Sequence, residues 1–211
     1  MRKSGKRLWA GLLACLVLAA ALPLSVWAEE PALTITTVEQ LVQFASQVNG
    51  GDSFEGKTVV LAANLALGGE ENPWTAIGTA SAPFKGTFDG GFHVVSELWS
   101  ETGLFGYVNG GTVQDLVVWG TVKAKGMNGA GGVVSTLKAG TVMRCGNEAD
   151  VTGGSAVAGV VGTVQGASTV EECYNTGAVT GTVGYIGGVT GMHLSAGTVL
   201  SCYNTGAVTG P

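Results

Sequence analysis

Charged residues are scarce in this chain of 211 residues, where they make up 12% of the sequence, about half of the usual ~25%. Ten residues are basic and fifteen are acidic, so the formal net charge is −5. Binding to nucleic acid needs clustered Lys and Arg side chains that neutralise phosphates. Because the only basic cluster is at the very start of the chain, the sequence argues against a nucleic-acid partner.

Histidine and short catalytic signatures are equally sparse. The chain has two histidines, His93 and His193, and neither has acidic or cysteine neighbours at the spacing of metal ligands. Since protein metal sites need several ligands close together, we expect one turn histidine and one surface histidine. Neither an H-E-x-x-H nor a G-x-S-x-G signature occurs. We therefore predict no metal site, no cofactor and no catalytic residues.

The first residues carry the longest apolar run of the chain. Four basic residues within positions 2–7 precede an apolar stretch over residues 8–26, and Ala28 stands just before two glutamates. A basic segment, an apolar run and a small residue at the cleavage point are typical of a signal peptide. We predict cleavage after Ala28, which makes the remainder secreted or cell-surface. An uncleaved anchor is the alternative, because the run is nearly long enough to span a bilayer.

Glycine, by contrast, is abundant: 36 of the 211 residues are glycine, far above its usual share of ~7%. No Gly-X-Y period accompanies these glycines, and Val, Leu, Ile and aromatic residues recur between them at regular intervals. Tight turns between short strands account for both features.

Two identical nonapeptides, CYNTGAVTG, occupy residues 173–181 and 202–210 and begin 29 residues apart. A degenerate copy over residues 145–153 begins 28 residues earlier. A second repeated series is interleaved with the nonapeptides. Each copy begins with a glycine and two residues that are mostly apolar, and the copies occupy residues 103–106, 132–135, 159–162 and 188–191. A fixed period of this length indicates a stacked repeat, in which each unit covers the apolar face of its neighbour.

The segments between the glycines are three to five residues long and lack helical periodicity. We therefore predict an all-β chain that forms a parallel β-helix with coils of ~29 residues and three short strands per coil. The general preference of crossover connections predicts that it is right-handed. The three-residue step from Val170 to Cys173 breaks strict alternation and predicts a corner or bulge there.

Stacking places like residues of the nonapeptides above one another, with Cys and Asn on one face of the strand and Tyr on the other. An inward Asn without a partner costs about 1–3 kcal/mol, whereas in-register Asn side chains can bond one another; an outward Asn in a turn is the alternative. Cys145, Cys173 and Cys202 share one position. In-register Cβ atoms lie ~4.8 Å apart, beyond the ~3.8 Å of a disulfide, which favours buried free thiols over bridges.

A helical pattern precedes the predicted strands. Apolar residues at three- and four-residue steps predict one helix over residues 37–48, which covers the first end of the stack; these residues are Val38, Leu41, Val42, Ala45 and Val48. A capping box of Thr36 with Glu39, or of Thr37 with Gln40, would begin this helix.

Residues 59–67 are predicted as the first strand. The alternation of Phe84, Gly86 and Phe88 places all three on one face of a later strand, and Asp89-Gly90 is a turn signal. Trp74, Trp99 and Trp119 belong to this aromatic part of the chain. Although indole rings stack on sugars, Trp in a small apolar cap is more often part of the core.

Residues 51–58 match the phosphate-binding pattern G-x-x-x-x-G-K-[ST]. That pattern requires a preceding strand and a following helix, so that amides and the helix N-terminus point at the phosphates. Here the predicted helix precedes the loop and a strand follows it. Asp52 and Glu55 also bring negative charge to the loop, so we predict no nucleotide binding.

With these segments in place, the chain resembles the GLUG-motif family of bacterial surface and secreted proteins. Gly103-Leu104-Phe105-Gly106 and Gly159-Val160-Val161-Gly162 match the core of the motif, and the CYNTGAV segments are similar to its continuation. The part from Ile35 to His93, with Trp74, Ile77-Gly78, Phe84, Gly86 and Phe88-Asp89-Gly90, is similar to the module that precedes such repeats. Ser135 and Thr190 depart from the pattern. The resemblance implies a β-helix stalk or passenger region and carries no catalytic residue set.

The resulting organisation is a signal peptide over residues 1–28, an N-terminal cap over 29–100 and GLUG-type repeats over 101–211. The chain stops in mid-period at Gly210-Pro211, which predicts a fragment of a longer protein. An open last coil would expose strand edges and favour end-to-end self-association.

The function predicted from these features is a non-catalytic extracellular scaffold or adhesion module, with surface glycans or proteins of host or neighbouring cells as partners. A carbohydrate-binding or polysaccharide-degrading β-helix is the alternative. Degradation needs carboxylates a few ångströms apart, whereas the aspartates occupy different repeat positions and Glu171 and Glu172 are adjacent, so they would face opposite ways in a strand. The aspartates considered are Asp52, Asp89, Asp115 and Asp150.

Overall fold

The computed structural model describes residues 30–126 and 129–211. The predicted signal peptide, residues 1–28, lies outside them. Residues Pro31–Pro211 form one compact unit. Within the described ranges, no helix has both the length and the apolar character needed to cross a membrane.

Within the described residues, the unit contains one α-helix, α1 (Val38–Asn49), one short 3₁₀ turn at Gly69–Glu71, and eighteen strands joined by turns and loops. The strands are β1 (Leu33–Ile35), β2 (Thr58–Leu61), β3 (Leu65–Ala66), β4 (Thr87–Ser100), β5 (Phe105–Asn109), β6 (Thr112–Lys123), β7 (Ala130–Gly131), β8 (Val134–Lys138), β9 (Thr141–Asn147), β10 (Asp150–Ala158), β11 (Val161–Gln165), β12 (Thr169–Glu171), β13 (Tyr174–Asn175), β14 (Val179–Gly187), β15 (Thr190–His193), β16 (Thr198–Leu200), β17 (Tyr203–Asn204) and β18 (Val208–Thr209).

The strands stack as a parallel β-solenoid of about six turns, which confirms the predicted fold class. Most of them belong to one large sheet that bends around the coil, and β5, β8, β11 and β15 form a second sheet. A column of six threonines shows how strictly the coils keep register: Thr58, Thr87, Thr112, Thr141, Thr169 and Thr198 pair in succession. In the position after each of the first five threonines, an inward residue fills the core, as Val113 and Val142 do at full burial, whereas Val199 after Thr198 is 40% exposed.

The long strands bend at residues that adopt the left-handed conformation. In four consecutive coils this residue precedes the inward Leu or Cys, and φ is 54° at Asp115, 49° at Arg144, 52° at Glu172 and 52° at Ser201. The corner predicted between Val170 and Cys173 is therefore confirmed. Both Glu171 and Glu172 are turned away from the core, so the expectation that they face opposite ways is wrong, because alternation is lost at the corner.

Two boundaries predicted near the start of the stack are also wrong. The first strand is β1, which pairs in parallel with β2 through Leu33 and Val59. The turn predicted at Asp89-Gly90 does not end the strand. β4 continues through these residues and bends just after them at Gly91 and Phe92, whose φ values are 56° and 59°. The Asp89 carboxylate accepts a hydrogen bond from the Gly91 amide at 2.9 Å, which supports that bend.

Helix α1 begins with the second of the two predicted capping boxes. The Thr37 hydroxyl accepts a hydrogen bond from the Gln40 amide at 3.3 Å, and the Gln40 side chain accepts one from the Thr37 amide at 3.1 Å. Val42, which the periodicity placed on the apolar face, is 49% exposed. Phe44, which that list of apolar positions omitted, is fully buried.

Phe44 anchors the helix on an aromatic cluster in the first coils. Its ring lies 5.0 Å from Phe54, 5.7 Å from Phe84 and 5.8 Å from Phe88 between centroids. Phe105 continues the cluster, 5.3 Å from Phe88. These contacts pack the helix against the core of the first coils, as predicted.

The core of the later coils contains polar side chains that bond one another. The Asn147 amide donates to the Asn175 side-chain oxygen at 2.7 Å, and the Asn175 amide donates to Asn204 at 2.6 Å. Each amide also donates to a backbone carbonyl two residues ahead, such as that of Gly177 at 2.9 Å. The predicted inward Asn ladder is therefore confirmed, and its polar atoms are satisfied as burial requires.

The Asn ladder also explains the interleaved glycine series. A Cβ atom on Gly132, Gly159 or Gly188 would overlap the side chain of the facing asparagine in each coil. The asparagine repeat and the glycine repeat therefore depend on each other. An asparagine side chain on one wall of the coil leaves room only for a residue without a side chain on the opposite wall. Gly103 has no asparagine to face, since Val118 occupies the register position of Asn147.

Candidate functional site

Two grooves lie on either side of the segment Pro73–Thr75. The larger, of about 860 Å³, runs between this segment and α1 and is bordered by Val38, Val42, Leu67 and Glu71. The smaller, of about 540 Å³, lies between the same segment and the end of β4. We call the smaller one the Trp99 groove; it is lined by Pro73–Ala76, Trp99–Thr102 and Lys125.

Strand pairing builds the two walls of the Trp99 groove. The Trp74 amide donates a hydrogen bond to the Trp99 carbonyl at 2.7 Å, and Trp74 pairs with Ser100 in parallel. Because side chains alternate along a strand, Trp74 points inward, where its indole N–H donates to the Leu104 carbonyl at 3.0 Å. Trp99 points outward and is partly exposed.

The tryptophans therefore divide by role. Trp74 is 9% exposed and belongs to the core, as predicted for a Trp in the cap, whereas Trp119 is 50% exposed. Trp99 lines the groove and carries the Lys123 ammonium over its ring, 4.4 Å from the centroid. Its position was among those named from the sequence, but nothing in the local pattern distinguished it from the other two.

Two lysines lie near Trp99: Lys123 over its ring and Lys125 in the lining of the groove. Lys125 forms an exposed ion pair with Glu101 at the rim. Of the six basic side chains in residues 30–126 and 129–211, Lys123 and Lys138 have no carboxylate partner in those ranges, and the other pairs are Lys57 with Asp52, Lys85 with Glu55, and Arg144 with Asp115.

Arg144 and Asp115 form the most buried ion pair. The Arg144 Nε and Nη2 atoms donate to the two Asp115 oxygens at 2.6 and 2.7 Å, and Asp115 is only 5% exposed. The hydrogen bond to Asp115 raises the pKa of Arg144, and Glu172 and Asp89 add to this effect through their charges. Both oxygens of Asp115 are thus engaged by Arg144, in a bidentate pair that joins β6 to β9.

The other aspartates named from the sequence have separate local roles. Asp150 accepts a hydrogen bond from the Ala178 amide at 3.0 Å, and Asp52 accepts one from the Phe54 amide at 3.1 Å. That backbone hydrogen bond lowers the pKa of Asp52, and the Lys57 ammonium contributes to the shift. Lys57 thus pairs with Asp52 inside the loop that matched the phosphate-binding pattern, and β2 rather than a helix follows this loop.

The repeated cysteines are free thiols on the inner face of the stack. Cys145 and Cys173 are buried and Cys202 is partly exposed. Each thiol donates to backbone carbonyls, as Cys173 does to Glu171 at 3.1 Å. Burial raises the pKa of Cys145 and of Cys202, which makes these thiols poor nucleophiles.

The tyrosines of the nonapeptides stack on the outer face. The rings of Tyr174 and Tyr203 are 5.6 Å apart and nearly parallel, at 13°. The Tyr174 hydroxyl donates to Glu148 at 3.1 Å. Burial and this hydrogen bond raise the pKa of Tyr174 to about 12.

The two histidines lie in different sheets. His93 in β4 is 3.2 Å from the Asn64 side-chain oxygen, and His193 ends β15. In the described part of the chain, no three His, Cys, Asp or Glu side chains are grouped in a way that could hold a metal ion.

No protein-family model matches the chain, and no curated protein matches it. Among solved structures, the fold is similar to a crystal structure described as a putative immunoglobulin A1 protease from Bacteroides ovatus, with a TM-score of 0.56 and 17% sequence identity. The match covers 84% of this chain and 76% of that chain. At this level of identity the likeness establishes the parallel β-solenoid fold and carries no activity with it.

Proposed function

We propose that this protein is a non-catalytic extracellular β-helix scaffold with an adhesive role at a bacterial surface. The observation that carries the proposal is the use of the repeated polar residues, which bond to their own copies in neighbouring coils, as Asn147, Asn175 and Asn204 do. Residues that are used in this way build a rigid stalk, and the outer surface is left for contacts. The glycines and asparagines that recur at fixed positions support the inference that these coils are GLUG-type repeats.

A polar network that specifies a stack differs from a catalytic one in its chemistry. The most buried carboxylate of the described residues, Asp115, accepts hydrogen bonds from two nitrogen atoms of Arg144. A proton transfer at Asp115 would first have to break this bidentate ion pair. The buried thiols of Cys145 and Cys173 likewise face carbonyl oxygens. Both features support a structural role for the groups that an enzyme of this fold would need.

A direct test combines attachment and turnover with the purified full chain. Beads coated with the folded chain are expected to attach to bacterial or host cells, whereas beads coated with heat-unfolded chain are not. No new reducing ends are expected from acidic polysaccharides, and no new peptides from casein or immunoglobulin A1, which is included because of the name of the structural neighbour. Turnover that is lost in the Asp115→Asn variant, or equal attachment of both bead types, would overturn the proposal.

A carbohydrate-binding protein is the second candidate function. The Trp99 groove favours it, because an outward indole, two threonines and a Lys–Glu pair border one cavity. Such a combination of an apolar ring with a few polar groups is typical of sites for small polar ligands.

A further inference from the structure

The Trp99 groove combines three kinds of group that sugar rings require. Trp99 supplies an outward aromatic surface, and Thr75 and Thr102 supply hydroxyl groups on opposite walls. Glu101 and Lys125 lie at the rim as an exposed pair, with side chains 60% and 79% exposed. The larger groove beside α1 is also lined by polar side chains, among them Asn49, Glu71 and Asn72, but no basic side chain lines it.

The charge near the indole selects among sugars. Lys123 lies on the Trp99 ring and pairs with no carboxylate in the described ranges, while Lys125 is held only by an exposed ion pair. An exposed pair contributes about 0–1 kcal/mol, so a ligand carboxylate can replace Glu101 at Lys125 with little loss. Lys125 thus lines the groove and the Lys123 ammonium lies over the ring of its tryptophan, on a chain whose net charge is −5.

We propose that the Trp99 groove binds a hexuronate unit of an acidic polysaccharide, with the pyranose ring against Trp99 and the carboxylate at Lys125, where the nearby charge of Lys123 adds to the attraction. The hydroxyls of the sugar bond to Thr75, Thr102 and the released Glu101. This inference rests on the proposed binding role and names the ligand class and the residues that recognise it. The apolar face of a pyranose suits an indole, and the carboxylate accounts for the unpaired lysine.

The test uses the full chain and two matched probes: a hyaluronan tetrasaccharide and the same tetrasaccharide with its carboxylates reduced to alcohols. Titration calorimetry is expected to detect binding of the acidic probe, and carboxylate reduction is expected to weaken it about tenfold, since the ion pair with Lys125 and the attraction of Lys123 are lost. Equal affinity for both probes would overturn the role of Lys123 and Lys125.

Variants locate the site. Trp99→Ala is expected to weaken binding of the acidic probe by about tenfold or more. Trp119→Ala is the matched control, because Trp119 is 50% exposed and does not line the groove, and it is expected to leave affinity unchanged. Lys125→Gln keeps the proposal testable should Trp99→Ala fail to fold, since a side chain that is 79% exposed has little part in folding.

The outcomes separate this site from the wider function. Equal losses in Trp99→Ala and Trp119→Ala, or full binding by Lys125→Gln, would place the ligand elsewhere and overturn the site. Absence of binding to both probes would overturn the ligand class. Cell attachment of coated beads that persists in the absence of binding to both probes would leave the adhesive role intact, whereas its loss together with sugar binding would support both.

Discussion

The two ends of the solenoid fill the same kind of core in different ways. Near α1, rings of different orientation interlock, with Phe44 edge-on to Phe54 and Phe84 but roughly parallel to Phe88. In the later coils, small identical residues stack on their own copies, as Asn175 does between Asn147 and Asn204. Complementary packing of aromatic rings stabilises the first end, and hydrogen bonds between residues in register stabilise the later coils.

This difference has an energetic consequence. Interlocked rings depend on each other, so one truncation should weaken the whole cap. Stacked coils contact only their neighbours, so their stability is a sum of local interfaces. Four experiments test this contrast, from the largest expected effect to the smallest.

Phe44→Ala should be the most damaging change, because it removes three ring contacts and leaves a cavity under α1. We expect a loss of about 3–5 kcal/mol in the free energy of unfolding, measured by urea denaturation. Val42→Ala, two residues away in the same helix and 49% exposed, should change it by about 0.5 kcal/mol or less. Similar losses in both variants would show that the aromatic cluster does not hold the cap.

Asn175→Ala breaks the Asn ladder at its centre. The Asn147 amide and the Asn204 side-chain oxygen each lose a partner, which should cost about 2–3 kcal/mol for the groups left unsatisfied. Asn204→Ala is the control, because Asn204 is exposed and has one ladder neighbour in the structure, and it should cost less. Denaturation midpoints in the reverse order would contradict the ladder.

Gly159→Ala tests the link between the two repeats. The added Cβ would overlap the Asn175 side chain, and overpacking of this kind costs about 1–3 kcal/mol. Gly184→Ala provides the comparison, because nothing lies within 4 Å of its added Cβ, and its thermal midpoint should stay near that of the parent chain. A neutral Gly159→Ala would mean that the opposite wall yields easily.

Tyr174 should produce the smallest effect, visible only at high pH. Its pKa is raised to about 12 by burial and by Glu148, so the folded state favours the neutral phenol. The resulting stabilisation is fully present below the unfolded pKa of about 10 and is lost as the pH rises through about 12. A spectroscopic tyrosinate titration should lack the highest transition in Tyr174→Phe and show it shifted downward in Glu148→Gln; identical curves for Tyr174→Phe and the parent chain would refute the assignment.

Periodicity predicted the repeated coils well because stacking requires the same residue at the same position in every turn. The parallel fold, the corner after Val170, the inward asparagines and the outward tyrosines all follow from that one requirement. Predictions were poorer where no repeat exists. Val42 was placed on the buried face and Phe44 was missed, because the exact orientation of a single helix depends on the rings beneath it.

The candidate site was also harder to predict from the sequence, because no repeat specifies its contacts. Trp99 and Lys123 lie on different coils, and the parallel pairing of β4 with β6 brings them together. Pro73–Ala76 reaches the groove through the pairing of Trp74 with Ser100. No spacing within one segment reveals such contacts, because they depend on which outward positions of successive coils come into register.

The sequence by itself determined the architecture of this protein: a 28- or 29-residue period, glycines at the turns, and asparagines that bond to their own copies in neighbouring coils. Tertiary structure alone decided the rest, namely which glycine faces which asparagine, how the phenylalanines interlock under α1, and that Trp99 and Lys125 border one groove. The physical reason is that a repeat specifies contacts between like positions, whereas contacts between unlike positions depend on the width and bend of the finished coil.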